Sequence, residues 1–276
     1  MPDMSNDTVI SLIERDLDAD GVLRLTLNDP ATRNALSEGM LAALASALAE
    51  AAQEAAVRVI VLAANGPVFC AGHNLKEMTA ARTDPAHAND RGRAYFAKIL
   101  GQCSAVMQSI TAHPKPVIAE IHGTATAAGC QLAASCDLAV ASHNAKFATP
   151  GVHIGLFCST PMVALSRAVA PKHAMEMLLT GDPVSAERAA EIGLINYAVA
   201  PEDLRQTVMD MARKIASKST ATVAFGKPTY YVQAEQTLAA AYETAAAVMV
   251  ENMLAHDAEE GINAFIEKRA AAWQDR

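Results

Sequence analysis

Three short apolar runs, residues 58–63, 117–121 and 146–148, each lead into a loop rich in glycine, proline and other small residues, and helical sequence follows each loop. A buried strand, a tight loop and a helix recurring along one chain call for a parallel sheet, because each return to the next strand must cross a face of the sheet. The segments 10–15 and 22–27 flank Asp18-Ala19-Asp20-Gly21 and read as an opening hairpin. Ser37 then precedes a helix expected over 38–56, with Leu41, Leu44 and Leu48 at helical spacing. A second helix is expected over 95–111, stopped by His113-Pro114-Lys115-Pro116, and a small-residue helix from Ala127 leads to a strand over 138–141.

Beyond Pro161 the pattern turns helical, with Ser185 as an expected N-cap, Gly193 as a C-cap and Ala-rich helices over 202–272. The chain therefore divides into a core over 1–200 and a helical region over 201–276. Helices such as the one expected over 234–254 carry more apolar surface than a single face needs, which points to a homo-oligomer. With 276 residues, 51% hydrophobic and only 4% aromatic, the chain can bury a large core of closely packed helices on a sheet. The expected class is α/β.

A formal charge of -8 without a run of Lys and Arg argues against a nucleic-acid partner. The five cysteines, Cys70, Cys103, Cys130, Cys136 and Cys158, are odd in number and form no CxxC pair, so reduced thiols are expected and structural zinc is not. Near the N-terminus stand Asp3, Asp7, Glu14 and Asp16 with no apolar targeting segment, and no stretch reaches membrane-spanning length. These features lead to the expectation of a cytoplasmic protein without a membrane partner.

The first loop contains Phe69-Cys70-Ala71-Gly72-His73-Asn74-Leu75-Lys76, and the second runs from Gly123 through Ala127-Ala128-Gly129-Cys130-Gln131. Taken singly, such loops serve most often as packing devices. Facing each other, their outward N–H groups would make a pair of donors for one oxygen anion. Residues 69–75 resemble the FxAGxDL signature of the crotonase (enoyl-CoA hydratase/isomerase) superfamily, and 123–137 resemble its GxAxGGGCELAxxCD segment. Leu27-Asn28-Asp29-Pro30 and the stretch 260–269 extend the likeness across nearly the whole chain.

The resemblance implies a crotonase-like spiral of ββα units with a helical C-terminal trimerisation region, forming a homotrimer or a dimer of trimers. It implies a coenzyme A thioester as substrate, with no permanently bound cofactor and no metal. By motif position, the amides of His73 and Ala128 would form the oxyanion hole, with Ala71, Asn74 and Leu75 among the contacts to the coenzyme A thioester. Phe265 and Lys268 match positions that cover coenzyme A on a neighbouring subunit, and Arg33 and Lys76 would contact its phosphates. The competing reading of those cations is solvated surface charge.

Two departures stand out. The family's hydratases use two glutamates as acid and base, and those positions hold Gln131 and Gly151 here. An amide does not titrate at neutral pH and glycine has no side chain, so two-carboxylate chemistry is ruled out. His73 and His153 are the acid/base candidates by intrinsic pKa, against a purely structural role for each. Related isomerases and dehalogenases carry a working Asp near Ser159, and Cys158 reads as an inert apolar residue. The chain is thus expected to be an acyl-CoA lyase or isomerase acting through a thioester enolate. The alternatives are a methylmalonyl-CoA-type decarboxylase, some of which also carry a histidine in the first loop, and a non-catalytic acyl-CoA-binding protein.

Overall fold

The computed structural model describes residues 11–85 and 89–276, so the expectations placed on Asp3, Asp7 and Ile10 lie outside the described residues. Strands β1 (Ile13–Leu17) and β2 (Val22–Leu27) form the antiparallel hairpin, with the turn closed by Asp18, whose carboxylate accepts from the amides of Asp20 and Val22. Helix α1 (Glu38–Gln53) begins at Ser37, whose side chain accepts from the Met40 amide. It ends three residues short of the expectation: Glu54 turns extended, and the chain bends toward the next strand.

Three turns of the chain then repeat one plan. In the first, β3 (Val59–Ala64) and β4 (Val68–Cys70) precede α2 (Leu75–Thr83) and α3 (Arg93–Thr111). In the second, β5 (Val117–Ile121) and β6 (Thr124–Thr126) precede α4 (Ala128–Ser135). In the third, β7 (Leu138–Ser142) and β8 (Lys146–Ala148) precede α5 (Pro161–Ala168) and α6 (Pro171–Thr180). The long strands stack as one sheet in the order β1-β2-β3-β5-β7-β10, and the short ones as a second in the order β4-β6-β8-β9, where β9 is Val184–Ser185 and β10 is Tyr197–Val199. All pairings between turns are parallel. The glycine loops of the sequence are therefore partly strand, and successive loops lie side by side because the strands that carry them pair.

Both faces of the long sheet are buried, which is why its strands read as unbroken apolar runs rather than alternations. One face packs on α1, α3 and α4 through Leu25, Leu62 and Ala119; the other meets α8 (Leu204–Ala216) through Val61, Ile118 and Val140. Leu204, Val208, Ala212 and Ala216 recur every four residues along α8 and supply its buried stripe. On that same face Arg24 pairs with the buried Glu120 across the intervening strand.

Ser185 caps α7 (Ala186–Glu191) by accepting from the Arg188 amide, and Gly193, at φ 86°, lies just past the helix end. The helix expected over 234–254 is in fact α10 (Leu238–Leu254), separated by a turn from α9 (Thr220–Ala234); α11 (His256–Glu267) follows. Gln236 and Thr237 make this break, the latter extended at the start of α10. These three helices bury little of themselves, and one buried polar knot fastens α9 to the core. Lys227 Nζ donates to Asp137 at 2.7 Å and to the carbonyls of Ile110 and Lys115 at 2.8 and 2.9 Å, and Tyr231 donates to the same carboxylate at 2.9 Å. Removing one partner of a buried pair leaves the other charge unmatched. Lys227→Ala is therefore expected to lower unfolding free energy by about 3 kcal/mol and to open α9–α11 to limited proteolysis before the core; an unchanged denaturation midpoint would show that the knot is not what holds α9.

Candidate active site

The first loop is pinned by Asn34, which is fully buried at φ 53°. Its Nδ2 donates to the carbonyls of Asn65 and Val68, both at 2.8 Å, and its Oδ1 accepts from the Asp29 amide at 2.9 Å. Next to it, the Ala71 amide donates to the Arg33 carbonyl at 3.1 Å, and the Leu36 amide to the Gly72 carbonyl at 2.8 Å. The sequence expectation places a phosphate contact at Arg33, whereas the residue that organises the loop is its neighbour Asn34. The available signal was an asparagine next to a turn, since Asn tolerates left-handed backbone and can bond three ways.

The second loop packs directly on the first. A Cβ placed on Gly72, at φ 86°, would lie 3.0 Å from the Thr126 carbonyl oxygen and 3.1 Å from the Ala128 nitrogen. One placed on Gly129 would overlap the Cys70 carbonyl, so no larger residue fits there without moving backbone. Between them Ala127 is held at φ 52°, ψ -119°, a conformation costing about 1–3 kcal/mol, with its amide tied to the Ala148 carbonyl of the third turn at 2.9 Å. Among the described residues, the amides of His73 and Ala128 donate to no protein group. Two free donors at the meeting of two packed loops, one of them opening α4, form an anion-binding arrangement.

The surrounding side chains are neutral. Gln131 is only 4% exposed and its Oε1 has no hydrogen-bond partner. Neither ring nitrogen of His73 meets a partner at full hydrogen-bond geometry, but the Leu36 backbone lies close enough to offset part of the lowering that burial imposes on its pKa. Gly151 has no room for a side chain: a Cβ would lie 2.7 Å from the Leu156 carbonyl oxygen and 2.9 Å from Cys158 Sγ. The buried Cys158 thiol, its pKa raised by burial, fills that space.

The other candidates are placed differently. His153 is exposed and its Nε2 is engaged with the Thr180 carbonyl at the end of α6, at 2.8 Å, so it is held as a cap rather than aimed at the two amides. Ser159 is exposed, with its hydroxyl 3.4 Å from the Phe157 carbonyl. Asn74 caps α2 by accepting from the Lys76 and Glu77 amides, while its Nδ2 donates to Glu77 Oε1 at 3.1 Å. An Asp at this position could make the cap but would repel Glu77. Leu75 and Lys76 begin α2, and Leu75, Lys76 and Arg33 are exposed. Phe265 and Lys268 lie at the far end of α11, which packs on α9 and α10.

These features define a crotonase-type fold, and the chain belongs to the enoyl-CoA hydratase/isomerase family, whose profile matches residues 18–276. Among relatives, it is 49% identical over 254 residues to rat enoyl-CoA hydratase domain-containing protein 3, mitochondrial, covering 92% of this chain and 82% of that one. Two crystal structures superpose closely. An enoyl-CoA hydratase of Mycobacterium smegmatis has a TM-score of 0.89 at 50% identity, covering 95% of this chain and 98% of that one. Human enoyl-CoA hydratase domain-containing protein 3 has a TM-score of 0.88 at 46% identity, covering 95% and 100%. The expectation of a cytoplasmic protein is overturned by these relatives, since the rat, mouse and human proteins are all named mitochondrial. Bulk charge and hydropathy describe a folded surface, and the surface of a globular enzyme does not encode its compartment.

Two measurements probe this framework. Asn34→Ala leaves the Asp29 amide and two carbonyls without partners and is expected to destabilise the chain by about 2–4 kcal/mol in urea denaturation; a loss under about 0.5 kcal/mol would show that the first loop is braced otherwise. His73 and the buried His113 are both held below their ordinary value of 6.5 by burial. As pH falls through about 6.5 the unfolded chain takes up protons that the folded one refuses, so stability is fully present above that pH and declines below it. Denaturation midpoints at pH 7.5 and 5.5 check the sign, and a higher midpoint at pH 5.5 would refute it.

Proposed function

We propose that this chain acts on a coenzyme A thioester, holding the thioester oxygen between the amides of His73 and Ala128 and stabilising the enolate that forms beside it, with little true hydratase activity. The observation that carries the reading is the pair of unpartnered amides on two interlocked loops, flanked by neutral side chains. Fixed N–H donors gain strength as charge develops on the oxygen and need no reorganisation to do so. Water addition by two carboxylates finds no counterpart: Gln131 does not titrate, and the space at Gly151 is closed. His73 is the titratable group next to the amides, and it is neutral at pH 7 because its pKa is depressed.

The coenzyme enters as part of the substrate, with Arg33 and Lys76 at the exposed rim of the first loop for its phosphates. Phe265, 84% exposed, and Lys268 would complete that cover from a neighbouring copy in a homotrimer or a dimer of trimers. The apolar surface of α10 and α11 supports this assembly, since Leu238 and Leu254 are each 77% exposed alongside Tyr242, Met249 and Ile266. In this reading 1–200 carries the acyl-CoA site and 201–276 the oligomerisation region.

A methylmalonyl-CoA-type decarboxylase would use the same amides, because carbon dioxide departs without a base. A non-catalytic acyl-CoA-binding protein would bind thioesters and release no product. Mass spectrometry after incubation with a panel of acyl-CoA thioesters, malonyl and methylmalonyl included, separates the three. Turnover of crotonyl-CoA near the roughly 10 per second typical of enzymes would sink the claim of weak hydratase activity. For the substrate so found, Ala128→Pro deletes one donor and is expected to lower the rate by roughly two to three orders of magnitude, with folding checked by circular dichroism. A folded Ala128→Pro protein of wild-type rate would overturn the oxyanion assignment.

A further inference from the structure

One carboxylate joins the first turns of three helices beside the first loop. Glu77 Oε1 accepts from Asn74 Nδ2 at 3.1 Å, and its Oε2 accepts from the Glu38 amide and the Tyr95 hydroxyl, both at 3.2 Å. Glu38 opens α1, Asn74 caps α2, and Tyr95 stands in the first turn of α3. The first amide of a helix has no partner within that helix, and the helix dipole favours a negative charge near it. Burial, together with the charges of Glu77 and Glu38, pushes the Tyr95 pKa up to about 12, so the phenol keeps the proton it donates.

The peptide that presents the His73 amide lies within the span this carboxylate closes. On its α1 side the Leu36 amide donates to the Gly72 carbonyl at 2.8 Å, and Leu36 pairs with His73 in a parallel bridge. On its α2 side Asn74 Oδ1 accepts from the Lys76 and Glu77 amides at 3.1 and 3.4 Å. Leu36 stands two residues before Glu38, and Asn74 directly follows His73. Glu77 therefore ties the anchor on one side of His73 to the anchor on the other.

The donors and acceptors of this junction fit only one way. With Asn74 Oδ1 committed to two backbone amides, its Nδ2 is the group left for Glu77. An Asp at 74, the residue of the family signature, would set acceptor against acceptor. A Gln at 77 would set its NH2 against either Asn74 Nδ2 or the Glu38 amide, donor against donor. Asp at 74 with Gln at 77 restores the match, since Gln would donate to Asp and accept from Glu38 and Tyr95 through its oxygen.

We propose that Glu77 is a positioning residue for the His73 amide, and that it is the matched partner of the Asn that stands here in place of the signature Asp. This rests on the acyl-thioester reading above, in which that amide is one of the two oxyanion donors.

The test compares wild type with Asn74→Asp, Glu77→Gln and the two substitutions combined. Three readouts are the melting temperature, the His73 amide resonance in protein labelled with heavy-nitrogen histidine, and calorimetric affinity for butyryl-CoA. Each single variant is expected to melt about 3 °C or more below wild type, to shift the His73 resonance and to bind butyryl-CoA at least about fivefold more weakly. The combined variant is expected to return close to wild type on all three, which separates the match from any contact Asn74 makes with the thioester itself. Single variants indistinguishable from wild type, or a combined variant whose losses are the sum of the two, overturn the matched pair. Lower melting with the His73 resonance and the affinity unchanged makes Glu77 purely structural and overturns the positioning role. Failure of wild type to bind butyryl-CoA overturns the acyl-thioester reading and with it the role given to Glu77, and it is told apart from the other outcomes because wild type alone reads it.

Discussion

The close approach of the first turn of α4 to the carbonyl of Cys70 is the constraint from which the site follows. Only a hydrogen at Gly129 lets the two backbones meet. Once they do, the Gly72 α-carbon faces the Ala128 nitrogen, and the peptide leading into α4 is forced through the strained conformation at Ala127. That strain persists because neighbouring contacts over-determine it. The Ala127 amide is held by β8, Asn34 fastens the opposite loop, and the parallel pairing of β4, β6 and β8 keeps all three turns in register. Two N–H groups are thereby denied protein partners, a state the surrounding packing stabilises and a ligand oxygen can exploit.

Charge is absent where the family's hydratases use it. An amide at Gln131 and a space filled by Cys158 at Gly151 leave no carboxylate at those two positions beside the free amides. Under the proposed reading, no carboxylate at these two positions would compete with charge developing at the amides, and neither position could transfer a proton. The half-buried His73 fits the same pattern. Desolvation that keeps His73 uncharged also strengthens every dipole around it.

The C-terminal helices are governed by different physics. Their attachment to the core is polar and local, through Lys227, Tyr231 and Asp137, and through Arg58 and Asp275 at the chain end. Many of their large apolar residues, Leu238, Tyr242 and Phe265 among them, are exposed. Covering that exposed apolar area is what the proposed homo-oligomer would do.

Much of the fold was legible in sequence because it rests on local patterning. The doubly buried strands at Val59–Ala64 and Val117–Ile121, the Ser37 and Ser185 caps and the family motifs around Gly72 and Gly129 are all short-range signals. The substitution of Gln131 and Gly151 for glutamates was equally plain from the motifs. Tertiary structure alone decided what those residues meet. Neither the burial of Asn34 beneath the first loop, nor the capture of His153 by the Thr180 carbonyl, nor the filling of the space at Gly151 by Cys158 can be read along the chain. Each depends on segments distant in sequence being brought within hydrogen-bond or van der Waals distance, and whether a polar atom is satisfied or orphaned is a property of that packing rather than of the residue type.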